Sequence, residues 1–398
     1  MFPLSFFLSK LIREGTLHII DSAGKKHSFT GTATPEVTVA LHDRWLPLKL
    51  FLKPDLKAGE SYMDGSLTVE DGKDIYDFLA LILKNMEWRP DNPMHLNGND
   101  PYSRFKSWIT QINPISRSQK NVAHHYDLSG ELYDLFLDPD RQYSCGYYMS
   151  DDDTLEQAQE NKKNIIAKKL LLAEHHRILD IGCGWGGLAL HLNKLSGADV
   201  TGVTLSREQY DIACQRAQDS KVADKVHFNF QDYREVAGKF DRIVSVGMFE
   251  HVGLHQYQTY FDKIYNGLED DGVALIHTIG RADGPGATDP WTIKYIFPGG
   301  YAPGLSEIIP VIEKAGLYIT DLEVWRLHYA KTLKEWRARV YKNKSAIIKL
   351  YDERFFRMWD FYLASAEASF RNLGHVVFQF QLAKKVNTVP LTREYLCN

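Results

Sequence analysis

The spacing of apolar positions changes along this chain. Near the N-terminus they come as short strand-like runs. Leu17-His18-Ile19-Ile20 and His27-Ser28-Phe29-Thr30 flank Asp21-Ser22-Ala23-Gly24-Lys25, which predicts a hairpin, and a third run covers 37–41. Residues 75–83 form a helical stretch that is apolar nearly all round. The stretch 89–100 is rich in Pro, Asn, Asp and Gly, a linker composition, and 102–119 is partly helical and still connecting. From residue 122 onward strands alternate with helical patterns. The candidate strands are 177–181, 199–203, 226–230, 242–246 and 273–277, and two late strands at 318–325 and 376–382 suit an antiparallel edge. The expectation is an α/β protein: a doubly wound, Rossmann-like sheet with a smaller N-terminal α+β domain. The expected division is 1–88, a linker over 89–121 and a main domain over 122–398.

Composition narrows the class. At 398 residues the chain holds two domains, and a formal charge of −4 gives no help to a nucleic-acid role. Cys145, Cys183, Cys214 and Cys397 contain no C-x-x-C pair, which argues against a disulfide frame or a zinc cluster. His124-His125 and His175-His176 are adjacent pairs whose side chains diverge, so no metal site is expected. No run of 18 apolar residues exists to span a bilayer. The apolar start, Phe2-Pro3-Leu4-Ser5-Phe6-Phe7-Leu8, lacks a basic leader. It reads as an amphipathic first helix, docked on its own domain or on a membrane surface, and the protein is expected in the cytoplasm.

The densest chemistry lies at Leu179-Asp180-Ile181-Gly182-Cys183-Gly184-Trp185-Gly186-Gly187. A strand runs into a glycine-rich turn and then a helix, so backbone N–H groups can approach a ligand without a Cβ in the way. The G-x-G-x-G spacing, with Asp180 two residues ahead, is closer to the S-adenosylmethionine (SAM) loop of methyltransferases than to the dinucleotide fingerprint G-x-G-x-x-G. Ligands of such sheets sit at the carboxyl ends of the strands. Those ends offer Asp180, Gly182, Gly184 and Gly186; then Thr204, Ser206 and Gln209; then Gln231 and Asp232; then 245–252 with Glu250. A dinucleotide site would place an acid where Thr204 stands. Asp232 is suited to accept from an adenine amino group.

The motifs Tyr143-Ser144-Cys145, Gln231-Asp232-Tyr233-Arg234, Val246-Gly247-Met248-Phe249-Glu250-His251-Val252-Gly253, His277-Thr278-Ile279-Gly280 and Asp289-Pro290-Trp291 follow in order around the glycine loop. Together they closely resemble the cyclopropane-fatty-acyl-phospholipid synthases, and with them the mycolic acid cyclopropane synthases, over roughly residues 120 to 384. The resemblance implies methylene transfer from SAM to a cis double bond of an acyl chain in a membrane phospholipid. It implies a bicarbonate ion held by Cys145, Glu250, His277, Ile279 and Tyr329, and SAM contacts from Tyr143, Ser144, Gly182, Gly184, Thr204, Gln209, Gln231 and Asp232. It also implies a homodimer.

The chemistry asks for a held electrophile and a base; an ordinary carboxylate could serve as that base, and bicarbonate is what the resemblance implies. An alkene is a poor nucleophile, so the electrophile must be held at near-attack distance. Methyl addition leaves a carbocation, and a base in a water-poor pocket must take a proton to close the ring. Glu250 would then orient the bicarbonate rather than take the proton, and Cys145 lines the pocket, since no covalent acyl intermediate is required. Tyr147, Tyr148, Trp291, Tyr295, Phe297 and Tyr301 are candidates to face the cation. The segment 283–303 reads as a substrate-covering loop. The basic run Lys331, Lys334, Arg337, Arg339, Lys342, Lys344 and Lys349 suits anionic headgroups or a solvated helix face equally well. The partners expected are unsaturated phospholipids at the inner membrane surface. Competing readings are a methyl-branching C-methyltransferase, a catalytically silent SAM-binding protein and a small-molecule O- or N-methyltransferase.

Overall fold

In a computed structural model the described residues are 1–87 and 128–397. The expected linker 89–121, the stretch 102–119 and the His124-His125 pair lie outside them. The chain forms two compact units, and they do not follow chain order. The N-terminal segment shares its unit with Thr288–Pro298 and Ala330–His375, and the other unit takes the remainder. The expected single later domain over 122–398 is therefore corrected: two of its segments build the first unit.

The first unit holds a four-stranded sheet in the order β2-β1-β3-β4, from β1 (Thr16–Ile20), β2 (Lys26–Thr30), β3 (Glu36–Leu41) and β4 (Leu67–Val69). β1 and β2 form the expected antiparallel hairpin, with Leu17 opposite Phe29. Its turn is closed by Asp21, whose Oδ1 accepts from the N–H groups of Ala23 and Lys25 at 3.0 Å each. The helix Ile75–Lys84 starts at a reciprocal cap, Asp74 Oδ1 accepting from Tyr76 N–H at 2.8 Å and Asp77 Oδ2 accepting from Asp74 N–H at 3.0 Å.

Against this helix and the helix Pro54–Met63 packs the long helix Glu353–Asn372. At its middle Asp360 is fully buried and accepts from Tyr62 Oη, Tyr341 Oη and Arg337 Nε, all at 2.7 Å. Arg337 also pairs with Asp74 at 2.9 Å. A buried carboxylate needs such a set of charged and polar donors. Arg337 is thus an internal counter-charge rather than part of a headgroup-facing or solvated stripe, whereas Lys334, Lys342 and Lys349 are exposed. The expected covering loop 283–303 is also more ordered than predicted. It contains the helix Pro290–Tyr295, whose buried Trp291 donates from Nε1 to Met63 Sδ at 3.3 Å and packs on Phe361 at 4.7 Å.

The second unit is built on a seven-stranded sheet in the order β10-β11-β9-β8-β5-β6-β7. Its strands are β5 (Arg177–Ile181), β6 (Asp199–Thr204), β7 (Val226–Phe230), β8 (Phe240–Val246), β9 (Leu268–Arg281), β10 (Tyr318–Trp325) and β11 (His375–Ala383). The run from β7 to β9 is parallel, and β10 pairs antiparallel with β11. Alternation along each strand sorts the core into two layers. Ile178, Val200, Val244 and Leu275 point into one, with Ile166, Leu188 and Leu192 from the helices Leu155–Leu170 and Gly187–Ser196. Leu179, Ile181, Ile243 and Ile276 point into the other, with Phe261 and Ile264 from the helix Tyr257–Gly267. This is the doubly wound α/β fold. The expected strands stand within two residues of their predicted ends, except β9. That strand continues to Arg281, so His277, Thr278, Ile279 and Gly280 ride on its carboxyl end.

Candidate active site

At the end of β5 the chain turns through Gly182, Gly184 and Gly186, with φ of 80°, 54° and 82°. Two of these glycines serve different ends. A Cβ on Gly186 would stand 2.6 Å from Phe228 Cζ, so packing alone requires glycine there. A Cβ on Gly184 would meet nothing within 4 Å. The backbone there faces open space, which is what close approach of a ligand needs. Beside the turn, Asp180 is 1% exposed and its Oδ2 has no hydrogen-bond partner. Burial pushes its carboxyl up to about 7, against the opposing pull of the Lys162 charge. An orphaned buried acid and an open glycine backbone fit a polar cofactor such as SAM.

The neighbouring strand ends supply the rest of that side. Thr204 Oγ1 donates to Gln209 Oε1 at 2.9 Å, and Gln231 N–H donates to the Thr204 carbonyl at 3.1 Å. Asp232 is buried, but Arg234 already holds its carboxylate through the backbone N–H at 2.9 Å, Nε at 2.8 Å and Nη2 at 2.7 Å. These bonds hold the carboxyl below its usual range despite burial. Tyr143 sets its ring edgewise to Tyr133 at 5.5 Å, and Tyr133 in turn meets Trp185 of the glycine turn at 4.9 Å. Ser144 Oγ is 2.7 Å from Lys162 Nζ.

The second half of the site gathers on β8 and β9. Glu250 lies on the short turn Phe249–His251 after β8. Its Oε1 accepts from Ile279 N–H at 2.6 Å, while Oε2 is buried without a hydrogen-bond partner. Burial raises this carboxyl to about 7. His277 is 2% exposed, with Nδ1 3.3 Å from Gln379 Nε2 and its ring edge-on to Trp325 at 4.9 Å. Burial, with the charges of Lys162 and Lys169, holds its pKa well below the usual value, so the imidazole is neutral.

Cys145 and Tyr329 are both buried. They belong to segments that meet at His328: its Nδ1 accepts from Tyr148 N–H at 3.1 Å, and its ring stacks on Tyr147 at 4.7 Å. Of the residues predicted to face a cation, Tyr147, Tyr148 and Tyr301 stand in this unit. Trp291, Tyr295 and Phe297 belong to the other, where they pack on Phe361, reach Glu60 and pack on Tyr362.

Sequence reasoning missed Gln159, Lys162, His328 and Gln379. Gln159 and Lys162 share one helix face at i,i+3 spacing, and Gln159 Nε2 donates to the Ser144 carbonyl at 2.9 Å. The spacing was visible; the burial of a lysine beside Lys163 was not.

The chain is similar to known proteins along most of its length. Residues 114–380 match the family model "Mycolic acid cyclopropane synthetase". The chain is 36% identical over 355 residues to the cyclopropane-fatty-acyl-phospholipid synthase of Escherichia coli K12, covering 88% of this chain and 89% of that one. It is 39% identical over 285 residues to a probable fatty acid methyltransferase of Pseudomonas putida, covering 69% and 72%. Among solved structures it superposes on mycolic acid cyclopropane synthase CmaA1 complexed with SAH and CTAB, with a TM-score of 0.64, 32% identity, and coverage of 68% of this chain and 99% of that one. The glycine turn, the orphaned acids and these relationships lead to one conclusion: the chain belongs to the cyclopropane synthase family and is a SAM-dependent methyltransferase.

Proposed function

We propose that this protein is a cyclopropane fatty acid synthase, transferring a methylene from SAM to the cis double bond of unsaturated acyl chains in membrane phospholipids. The observation that carries the reading is Oε2 of Glu250, buried and unpartnered on a carboxyl that titrates at about 7. Such a group is placed to hold a base away from bulk water, which the proton loss of ring closure on an alkene demands.

Bound SAM supplies an electrophilic sulfonium methyl. Tyr143, Ser144, Asp180, Gly182, Gly184, Gly186, Thr204, Gln209, Gln231 and Asp232 are the residues that would hold it. Methyl addition to one alkene carbon leaves positive charge on the other. Loss of a proton from the new methyl group then closes the three-membered ring. Bicarbonate would supply the base, held by Cys145, Glu250, His277, Ile279 and Tyr329. The residues present fit an oxyanion: the neutral His277 carries one ring N–H, a hydrogen-bond donor. The buried site around Glu250 and His277 excludes water that would quench a carbocation.

The substrate requires contact with a bilayer, and no helix among the described residues is long and apolar enough to cross one. In this reading the first unit makes that contact, at the cytoplasmic face, in a homodimer. The helices Leu4–Leu11 and Leu46–Leu52, with the residues next to them, expose Phe2, Phe6, Trp45, Leu48, Phe51 and Leu52. Cations rim these side chains: Lys10 lies over the Phe6 ring at 4.3 Å, Arg44 over Trp45 at 4.8 Å, and Lys49 and Lys53 are exposed. Apolar side chains ringed by lysine and arginine suit an anionic lipid surface.

A second reading is methyl transfer with the proton lost elsewhere, giving a methyl-branched unsaturated chain. The relationship to the P. putida probable fatty acid methyltransferase favours it. Release of S-adenosylhomocysteine (SAH) with vesicles of unsaturated phospholipid, and none with saturated ones, supports a lipid alkene acceptor. Equal release with both overturns it.

A further inference from the structure

The helix Leu155–Leu170 turns three lysines inward, and they are not equivalent. Lys163 pairs with Asp140 at 2.8 Å and Glu160 at 2.9 Å, and Lys169 pairs with Glu323 at 2.5 Å. Lys162 is fully buried and has two neutral partners, Gln142 Oε1 and Ser144 Oγ, each at 2.7 Å. No carboxylate among the described residues lies within ion-pair distance of it. A buried ammonium without a contacting counter-ion is costly unless the surroundings use its charge.

The surroundings are the two halves of the site. The charge of Lys162 is felt at Asp180 on the glycine-turn side and at His277 on the β9 side. Burial lowers the Lys162 ammonium to about 8, which leaves it charged at neutral pH; Asp138, Cys145, Lys163 and Asp140 also act on it, and its charge acts in return on Asp138. Asp180 in turn acts on the buried Cys183 thiol. Asp180 is the complementary oddity, a buried acid with an unpartnered oxygen.

We propose that Lys162 is a positioning residue with two effects: its ammonium ties Gln142 and Ser144 to the Leu155–Leu170 helix, and its buried positive charge favours an acceptor role for Asp180 toward polar hydrogens of the bound cofactor. The proposal rests on Asp180 belonging to the cofactor site and is independent of the lipid acceptor. The first effect is mechanical. Gln159 Nε2 donates to the carbonyls of Ser144 at 2.9 Å and Gln142 at 3.3 Å, so helix side chains grip the 142–144 segment at backbone and side chain alike. The second effect is electrostatic and has its own signature. Burial pushes the Asp180 carboxyl up to about 7 even with Lys162 present, so removing that charge leaves the acid protonated at neutral pH.

The test is calorimetric binding of SAH, without lipid, across pH 6 to 9. The wild-type chain is compared with Lys162→Met, Lys162→Arg and Asp180→Asn. Wild-type affinity is expected to fall as pH drops through Asp180's titration. In Lys162→Met that limb moves up by about one pH unit and affinity at pH 7 drops about tenfold. Lys162→Arg restores the limb, and Asp180→Asn abolishes it. If Lys162→Met does not fold, Lys162→Gln keeps a polar head without the charge and is expected to show the same displaced limb. An unmoved limb in the charge-free variant, even with weakened binding, overturns the proposal and leaves Lys162 a strut. Failure of the lipid reading would leave these binding curves unchanged.

Discussion

Ile279 donates its backbone N–H to Oε1 of Glu250 at 2.6 Å, tying the turn after β8 to the carboxyl end of β9 and leaving Oε2 unpartnered in the protein interior. Twenty-nine residues of sequence separate the two, and the parallel pairing of β8 with β9 brings them together. The bond fixes one carboxylate oxygen and leaves the other available for chemistry.

Glu250 carries a pH signature in stability. Burial raises its carboxyl from 4.5 to about 7, so between those values the folded state holds a proton that the unfolded chain releases. Its contribution is full in acid and is lost as pH rises through that window, by up to about 3 kcal/mol at roughly 1.4 kcal/mol per unit. Glu250→Gln is expected to gain stability relative to the wild type from pH 4.5 to 8, measured by urea denaturation. It should also lose at least about a hundredfold in turnover, the scale on which misplacing a catalytic base by about 1 Å acts. A stability difference flat with pH would show that Glu250 titrates normally.

The glycine turn separates packing from binding. Gly186→Ala meets Phe228 and a φ of 82°, so it is expected to lose about 2 to 4 kcal/mol of stability. Gly184→Ala meets nothing in the protein and a milder φ of 54°, so stability should change by about 1 kcal/mol while SAH affinity falls at least tenfold. Thermal unfolding and calorimetry on both variants check the contrast. Equal SAH affinity in Gly184→Ala and the wild type would remove the turn from the cofactor site.

Much of the second unit was legible because its signals are local. The apolar runs of β5 and β7 are bounded as predicted, and the glycine turn follows β5 directly. The Glu250, His277 and Ile279 motifs were legible as motifs, and their assembly came from sheet order. What was not legible depends on distant contacts. Trp291 reaches Met63 across 228 residues, so nothing near Trp291 shows that its segment leaves the catalytic sheet. Arg337 sits in a basic run that looks solvated, and only the buried Asp360 on another helix turns it inward. Lys162 was missed for the same reason, since its partners lie eighteen and twenty residues earlier on an irregular segment. β4 spans three residues, too short to carry a period.

The first unit's apolar face predicts salt-sensitive vesicle binding. Exchanging Lys10, Lys49 and Lys53 for Glu together should weaken sedimentation with anionic vesicles by at least about a hundredfold, at roughly 1 kcal/mol per basic residue near the surface. Phe6→Ser with Trp45→Ser should weaken binding to neutral and anionic vesicles alike, as lost apolar burial does. SAH affinity in both variants is expected to match the wild type. Vesicle binding unchanged by either set would place the membrane contact elsewhere.

Ring formation on a lipid alkene has a direct chemical readout. Purified protein is incubated with SAM and vesicles of unsaturated phospholipid, and the fatty acids are then analysed by mass spectrometry before and after mild hydrogenation. The expected product has gained one CH2 unit and takes up no hydrogen, which marks a cyclopropane. The same gain in a product that hydrogenation still reduces would contradict ring closure and establish methyl branching instead.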